Sequence, residues 1–136
     1  MTDKSAIITN KGVELEKLFM ELREDGILHF TVKDNVDFYD TDIKKTNEVI
    51  KKLGNGKAFC NLITLASNTN YDKSAREYAA SVESNMYTIA DAMVTSNFAI
   101  KLMFNFYLNF NKPIKPTKLF LTEESAIKWL RKFNQE

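Results

Sequence analysis

The stretch Ala58 to Ala66, reading Ala-Phe-Cys-Asn-Leu-Ile-Thr-Leu-Ala after an Asn55-Gly56 turn, leaves the fewest options for how this chain folds. A short, nearly continuous apolar run of this kind reads as a strand covered on both faces, which belongs at the centre of a sheet. The 136 residues are 44% hydrophobic and 27% charged, with 4 Gly and 2 Pro. That composition suffices for one core and excludes collagen-like, low-complexity and wholly disordered chains. No internal repeat or interdomain linker interrupts it.

Elements on either side of the run follow from periodicity and punctuation. Leu18, Met20 and Leu22 alternate with Phe19, Glu21 and Arg23; Asp25-Gly26 follows, and then Leu28, Phe30 and Val32. This is a β-hairpin signal, because the tight turn needs positive φ, which Gly supplies at no cost and Asp tolerates. Asp40 or Asp42 opens a helix with Ile43, Ile50 and Leu53 on one face and Gly54 at its end. A second helix starts near Asn70 and buries Ala75, Tyr78, Ala79 and Val82. Residues 86–95 fit either a helical extension or a strand, and periodicity does not decide between them. Phe98 to Phe110 reads as a helix with a narrow polar stripe of Lys101, Asn105 and Asn109, ended by Pro113 and Pro116. Thr117 to Leu121 suits a strand. Thr122 caps a last helix whose early Glu123 and Glu124 and late Lys128, Arg131 and Lys132 match the helix dipole, with Ala126, Leu130 and Trp129 on the buried side.

The net charge is +1, from 19 Lys and Arg against 18 Asp and Glu, so no global field draws the chain to nucleic acid or an anionic membrane. Residues 1–40 are acidic and residues 98–136 basic, either to join neighbouring subunits or to neutralise one another within one. Lys112, Lys115 and Lys118 are expected in a solvated loop. One Cys and one His leave no set for a structural zinc, and no cofactor is implied. The amino terminus lacks the basic start and apolar stretch of a secretion signal, and no segment is long and apolar enough for a bilayer; the expected location is the cytoplasm.

Hairpin, helix, strand, helix, undecided segment, helix, strand and helix in succession favour an α/β sheet. Three segments sharpen this reading: Ser74-Ala75-Arg76-Glu77-Tyr78-Ala79-Ala80-Ser81; Asn105-Phe106 through Asn111-Lys112-Pro113; and Pro116 to Phe120 leading to Glu123-Glu124-Ser125-Ala126 and Trp129-Leu130. They resemble a family of small bacterial proteins of uncharacterised role that look like STAS domains. That module occurs in sulfate transporters and in SpoIIAA-like anti-sigma-factor antagonists, and its architecture is similar to CRAL-TRIO lipid carriers. The resemblance covers roughly residues 16–133, with 1–15 an extension or short strand and 134–136 a tail. It implies a mixed five-stranded sheet with an amino-terminal hairpin and about four helices mainly on one side, and it makes Thr88 to Thr95 the fourth strand.

Anti-sigma antagonists carry a phosphorylated Ser after the central strand, in an Asp-Ser context. Here that region reads Ala66-Ser67-Asn68-Thr69-Asn70-Tyr71-Asp72, so Ser67 and Thr69 are weak candidate acceptors. An Asp common in the central strand of such domains is Asn61 in this chain.

Asp37, Asp40 and Asp42 read as capping residues, His29 as a strand residue of the hairpin, and Cys60 as a small buried hydrophobe rather than a nucleophile. Asp91 is costly to bury in a strand without a partner. A small polar site of Arg76, Asp91 and Asn105 is one expectation, and a structural ion pair or exposed strand end is the other. Leu102, Met103, Phe104, Phe106, Tyr107, Leu108 and Phe110 surround most of one helix, and burying each such side chain is worth roughly 1.5 to 3 kcal/mol. Something should cover the second face: another copy of the protein in a homodimer, or the amino-terminal segment or last helix of the same chain. The reading is therefore a non-enzymatic regulatory or protein-interaction module, or else a carrier or sensor of a lipid-like apolar small molecule held by Met103, Phe104, Tyr107 and Phe110.

Overall fold

A computed structural model describes residues 12–133 in full, together with the backbone of Ile7–Ile8. The strands are β1 (Ile7–Ile8), β2 (Val13–Glu14), β3 (Leu18–Leu22), β4 (Leu28–Val32), β5 (Val36–Phe38), β6 (Phe59–Thr64), β7 (Thr69–Tyr71), β8 (Thr88–Val94) and β9 (Thr117–Phe120). The helices are α1 (Asp40–Leu53), α2 (Lys73–Ala79), α3 (Phe98–Phe106) and α4 (Glu123–Leu130). The main sheet runs β1-β2-β3-β4-β6-β8-β9. The five expected strands form its body, and two dipeptide strands widen it at the hairpin edge. Within it β3 and β4 are antiparallel, whereas β4, β6, β8 and β9 are parallel neighbours. The α/β class and the mixed sheet are as expected.

The hairpin pairs Leu18 with Val32, Met20 with Phe30 and Leu22 with Leu28. Gly26 adopts φ 84°, and the Asp25 carboxylate accepts the Ile27 N–H at 3.2 Å, so both residues of the dipeptide serve the turn. Asp42 reaches back to accept the Tyr39 N–H at 2.9 Å at the start of α1, while Asp72 accepts from Ala75 at 2.8 Å at the start of α2. Asn97 and Thr122 do the same for α3 and α4. Each cap serves one of the N–H groups that a helix start leaves without a partner.

Because β6 alternates, Phe59, Asn61 and Ile63 point to one face, and Cys60 and Leu62 to the other. Helices α1, α2 and α3 cover the first face and α4 the second. The expectation of two covered faces holds, with most helices on one side.

Four local expectations are corrected. Helix α2 ends at Ala79, a 3-10 turn spans Glu83–Asn85, and Val82 is exposed rather than buried. The helix from Phe98 turns π-helical over Tyr107–Asn111 and ends at Lys112 with φ 51°. A separate parallel pair, β5 with β7, intervenes where the second helix was expected to begin. The last helix does not cover the outer face of α3, because it lies on the opposite side of the sheet. The proposed amino-terminal cover falls partly on residues 1–6 and 9–11, and the tail on 134–136, which lie outside the described residues.

Candidate functional site

Between the sheet and helices α1 to α3 lies a cavity of about 100 Å³. Its apolar wall includes Phe30, Val32 and Ile63 from the sheet, Ile43 and Ile50 from α1, and Phe104 from α3. Its polar wall is set by strand register. Asn61 on β6 pairs with Asp91 on β8, so their side chains emerge together on the cavity face.

The Asn61 Nδ2 group donates to Asp91 Oδ1 at 2.9 Å and to Thr88 Oγ1 at 3.3 Å. Those acceptors fix the amide's orientation and leave Oδ1 buried without a donor. Asn61 itself is 2% exposed. Lys115, just ahead of β9, places Nζ 2.9 Å from Asp91 Oδ2, and the two side chains are 7% and 10% exposed respectively. Its ammonium also donates to the Ala79 carbonyl at 3.3 Å. Such a pair is costly to break from one side, because the surviving charge stays buried.

Arg76 lines the same cavity but does not pair with Asp91. Its Nη1 donates to the Tyr71 carbonyl, its guanidinium carbon lies 5.6 Å from the Phe106 ring centre, and its Nε is buried without an acceptor. Tyr71 and Tyr107 complete the polar wall. Burial, reinforced by the Asp91 carboxylate, pushes both phenols up from their ordinary value, so each stays a neutral O–H. Asn105 is exposed on α3, where its carbonyl accepts from Asn109, and it does not line the cavity. Of the three residues of the anticipated polar site, Arg76 and Asp91 share a cavity; Asn61 and Lys115 stand where Asn105 was expected. Lys115 also corrects the solvated-loop reading of its basic run. An amide inside an apolar run was a visible signal for Asn61, whereas nothing periodic marks a lysine between two prolines.

The six residues expected to form an interface or apolar pocket divide between two sides. Met103, Phe104 and Tyr107 face the cavity. Leu102, Phe106 and Phe110 are exposed, with the Phe106 and Phe110 rings stacked at 4.3 Å. Phe98 extends that outer row, being 73% exposed against 71% for Phe110.

Ser67 is exposed in the turn after β6, and Thr69 is buried in β7 with its hydroxyl on the Ala66 carbonyl. Neither lies at the start of α2, where the Asp72 carboxylate already accepts from Ser74 and Ala75. Cys60 is fully buried on the α4 face, and burial pushes its thiol up, away from the nucleophilic thiolate. His29 Nε2 lies 2.9 Å from Thr64 Oγ1, which donates to Glu123 at 2.7 Å. The Thr64 proton being spent on Glu123, Thr64 accepts from His29. Of the basic end, Arg131 lies 3.3 Å from Asp25 of the acidic end within one subunit, whereas Lys115 pairs with Asp91.

This architecture is SpoIIAA-like. It aligns with the crystal structure of an uncharacterised protein of the DUF3478 family with a SpoIIAA-like fold from Shewanella loihica PV-4, at a TM-score of 0.58 and 13% identity, over 96% of this chain and 98% of that one. At that identity the likeness defines the fold. The chain belongs to the family described as Domain of unknown function (DUF7793), whose model matches residues 20–134. No curated protein matches the sequence. No helix among the described residues is long and apolar enough to cross a membrane.

Proposed function

We propose that the protein is a non-enzymatic binding module that senses or carries a small organic molecule in the cavity between its sheet and α1 to α3. The observation that carries this reading is the pair of unsatisfied buried groups, Asn61 Oδ1 and Arg76 Nε, on residues lining an otherwise mainly apolar cavity. Unpaired buried polar atoms are costly, and an occupant that supplies their partners recovers that cost on binding. The size bounds the occupant. An apolar cavity of about 150 Å³ accepts benzene, and pockets for drug-sized ligands run from roughly 300 to 1,000 Å³. At about 100 Å³ the site suits a compact molecule, and a long acyl chain is too large for it.

Thermal melting across a panel of small amphipathic molecules tests the reading. A ligand at a hundred times its Kd adds about 2.7 kcal/mol to stability. A panel spanning acids, alcohols and apolar solutes that leaves the melting temperature unchanged contradicts it.

A protein-interaction role is the second reading, favoured by the exposed row Phe98, Leu102, Phe106 and Phe110 at four-residue spacing along one side of α3 and its π-helical continuation. Residues so spaced share a helix face, and a contiguous apolar face invites a partner, a second copy of this chain among them. Sedimentation at micromolar concentration reads it out. A dimer that dissociates in Phe98→Ser/Phe110→Ser supports the contact, and a monomer in both proteins removes the homodimer.

A further inference from the structure

Resting on the cavity as a ligand site, we infer that its occupant is a short-chain hydroxycarboxylate: a compact monoanion with one hydroxyl donor and a small aliphatic body. Three features of the polar wall set that class. Asp91 and Lys115 pair at 2.9 Å, which leaves Arg76 as the cation on the cavity wall whose hydrogen bond goes to a carbonyl, that of Tyr71, and not to a carboxylate. Its Nε–H is the donor without an acceptor, so the group it meets is an anion or a strong acceptor. With Lys115 committed to Asp91, a second negative charge on the ligand would find no further cation, which makes the ligand a monoanion.

The amide of Asn61 supplies the opposite requirement. Its N–H groups are committed to Asp91 and Thr88, so the free Oδ1 calls for a donor from the ligand. A hydroxyl meets that need without adding a cation next to Lys115 and Arg76, which an ammonium group would do. Ile63 and Phe104, on the same cavity, provide the apolar wall for the carbon chain of the ligand. At about two-thirds of the volume of the benzene-sized cavity, the site admits about four or five non-hydrogen atoms.

Four probes titrated into 15N-labelled protein separate the parts of this inference: glycolate, acetate, ethanol and dissolved xenon. Kd is read from the Asn61 side-chain amide and neighbouring backbone signals. Glycolate is expected to bind about tenfold or more tightly than acetate, which lacks the hydroxyl donor, or ethanol, which lacks the anion. Arg76→Gln should weaken glycolate by about tenfold or more while leaving xenon unaffected. Because the probe series is measured on the unaltered protein, it stands even if the variant folds poorly. Xenon binding with no preference for the hydroxy acid overturns the assignment of ligand class and leaves the cavity reading in place. No binding by any of the four overturns both, with water alone serving Asn61 and Arg76.

Discussion

Strands β6 and β8 present two unlike surfaces from one pair of backbones. Toward α4 they offer Cys60, Leu62, Ala90, Ala92 and Val94, which close with Ala126 and Leu130 into a layer of buried apolar side chains. Toward α1 to α3 the intervening residues are Asn61, Ile63, Asp91 and Met93, and there a buried ion pair and a cavity coexist. Small residues at Ala90, Ala92 and Ala126 let α4 approach the sheet closely, so that side gains its stability from dense packing. The other side is lined by large rings and long aliphatic chains that meet around a space. One face is therefore a small filled apolar layer, and the other carries the larger core while retaining polar groups around a space.

The most damaging way to break this contrast is to remove one member of the ion pair. Lys115→Met should cost about 3 to 5 kcal/mol in urea denaturation, because Asp91 remains buried and charged with Asn61 as its side-chain hydrogen-bond partner. Adding Asp91→Leu to that variant should recover much of the loss, since the stranded charge goes with it. A Lys115→Met protein as stable as wild type would mean that the pair is solvated and the polar wall open to water.

Overpacking distinguishes the faces at smaller amplitude. Ala92→Val inserts methyl groups into the filled layer under α4 and should cost about 1 to 3 kcal/mol, whereas Val32→Ile adds one beside the cavity and should change stability by less than about 1 kcal/mol. Equal losses from the two substitutions, measured by the same denaturation, would remove the distinction.

The smallest effect belongs to the hairpin turn, remote from both layers. The Arg23 guanidinium holds the Asp25 carboxyl below its ordinary value of 3.8, with the Ile27 N–H helping. A carboxyl depressed on folding contributes stability that is present above its unfolded value and is lost as pH falls through its folded one. Asp25→Asn should therefore be less stable than wild type by up to about 1 kcal/mol at about pH 6, with the gap closing as pH falls through the lowered folded-state value of Asp25. A gap independent of pH would assign the effect to turn geometry instead of charge.

The sequence made the parts with strong local signals legible. Alternation around Asp25-Gly26 marked the hairpin, the unbroken run at Ala58 to Ala66 the central strand, and Thr122 with its following acids the last helix. The β5 and β7 pair escaped because three-residue strands are too short to display a period, and their partners lie far apart in sequence. Asp91 stood out as a charge in an apolar strand, but its ion-pair partner did not. Lys115 comes to it only because β9 lies parallel beside β8, a tertiary fact that the spacing of Pro113, Lys115 and Pro116 does not carry. Likewise, the surplus of aromatic residues around α3 was plain, while its division into a cavity side and an outer side depended on which face met the sheet.

Methionine methyl NMR tests the central claim most directly, because the side chains sit in different environments. Met93 and Met103 line the cavity, Met20 is buried elsewhere in the same core, and Met86 is exposed. On titration with xenon and with glycolate, the methyl signals of Met93 and Met103 should shift saturably while those of Met20 and Met86 stay in place. Unchanged Met93 and Met103 signals under both probes, or equal movement of all four, would contradict a specific ligand cavity between the sheet and its three helices.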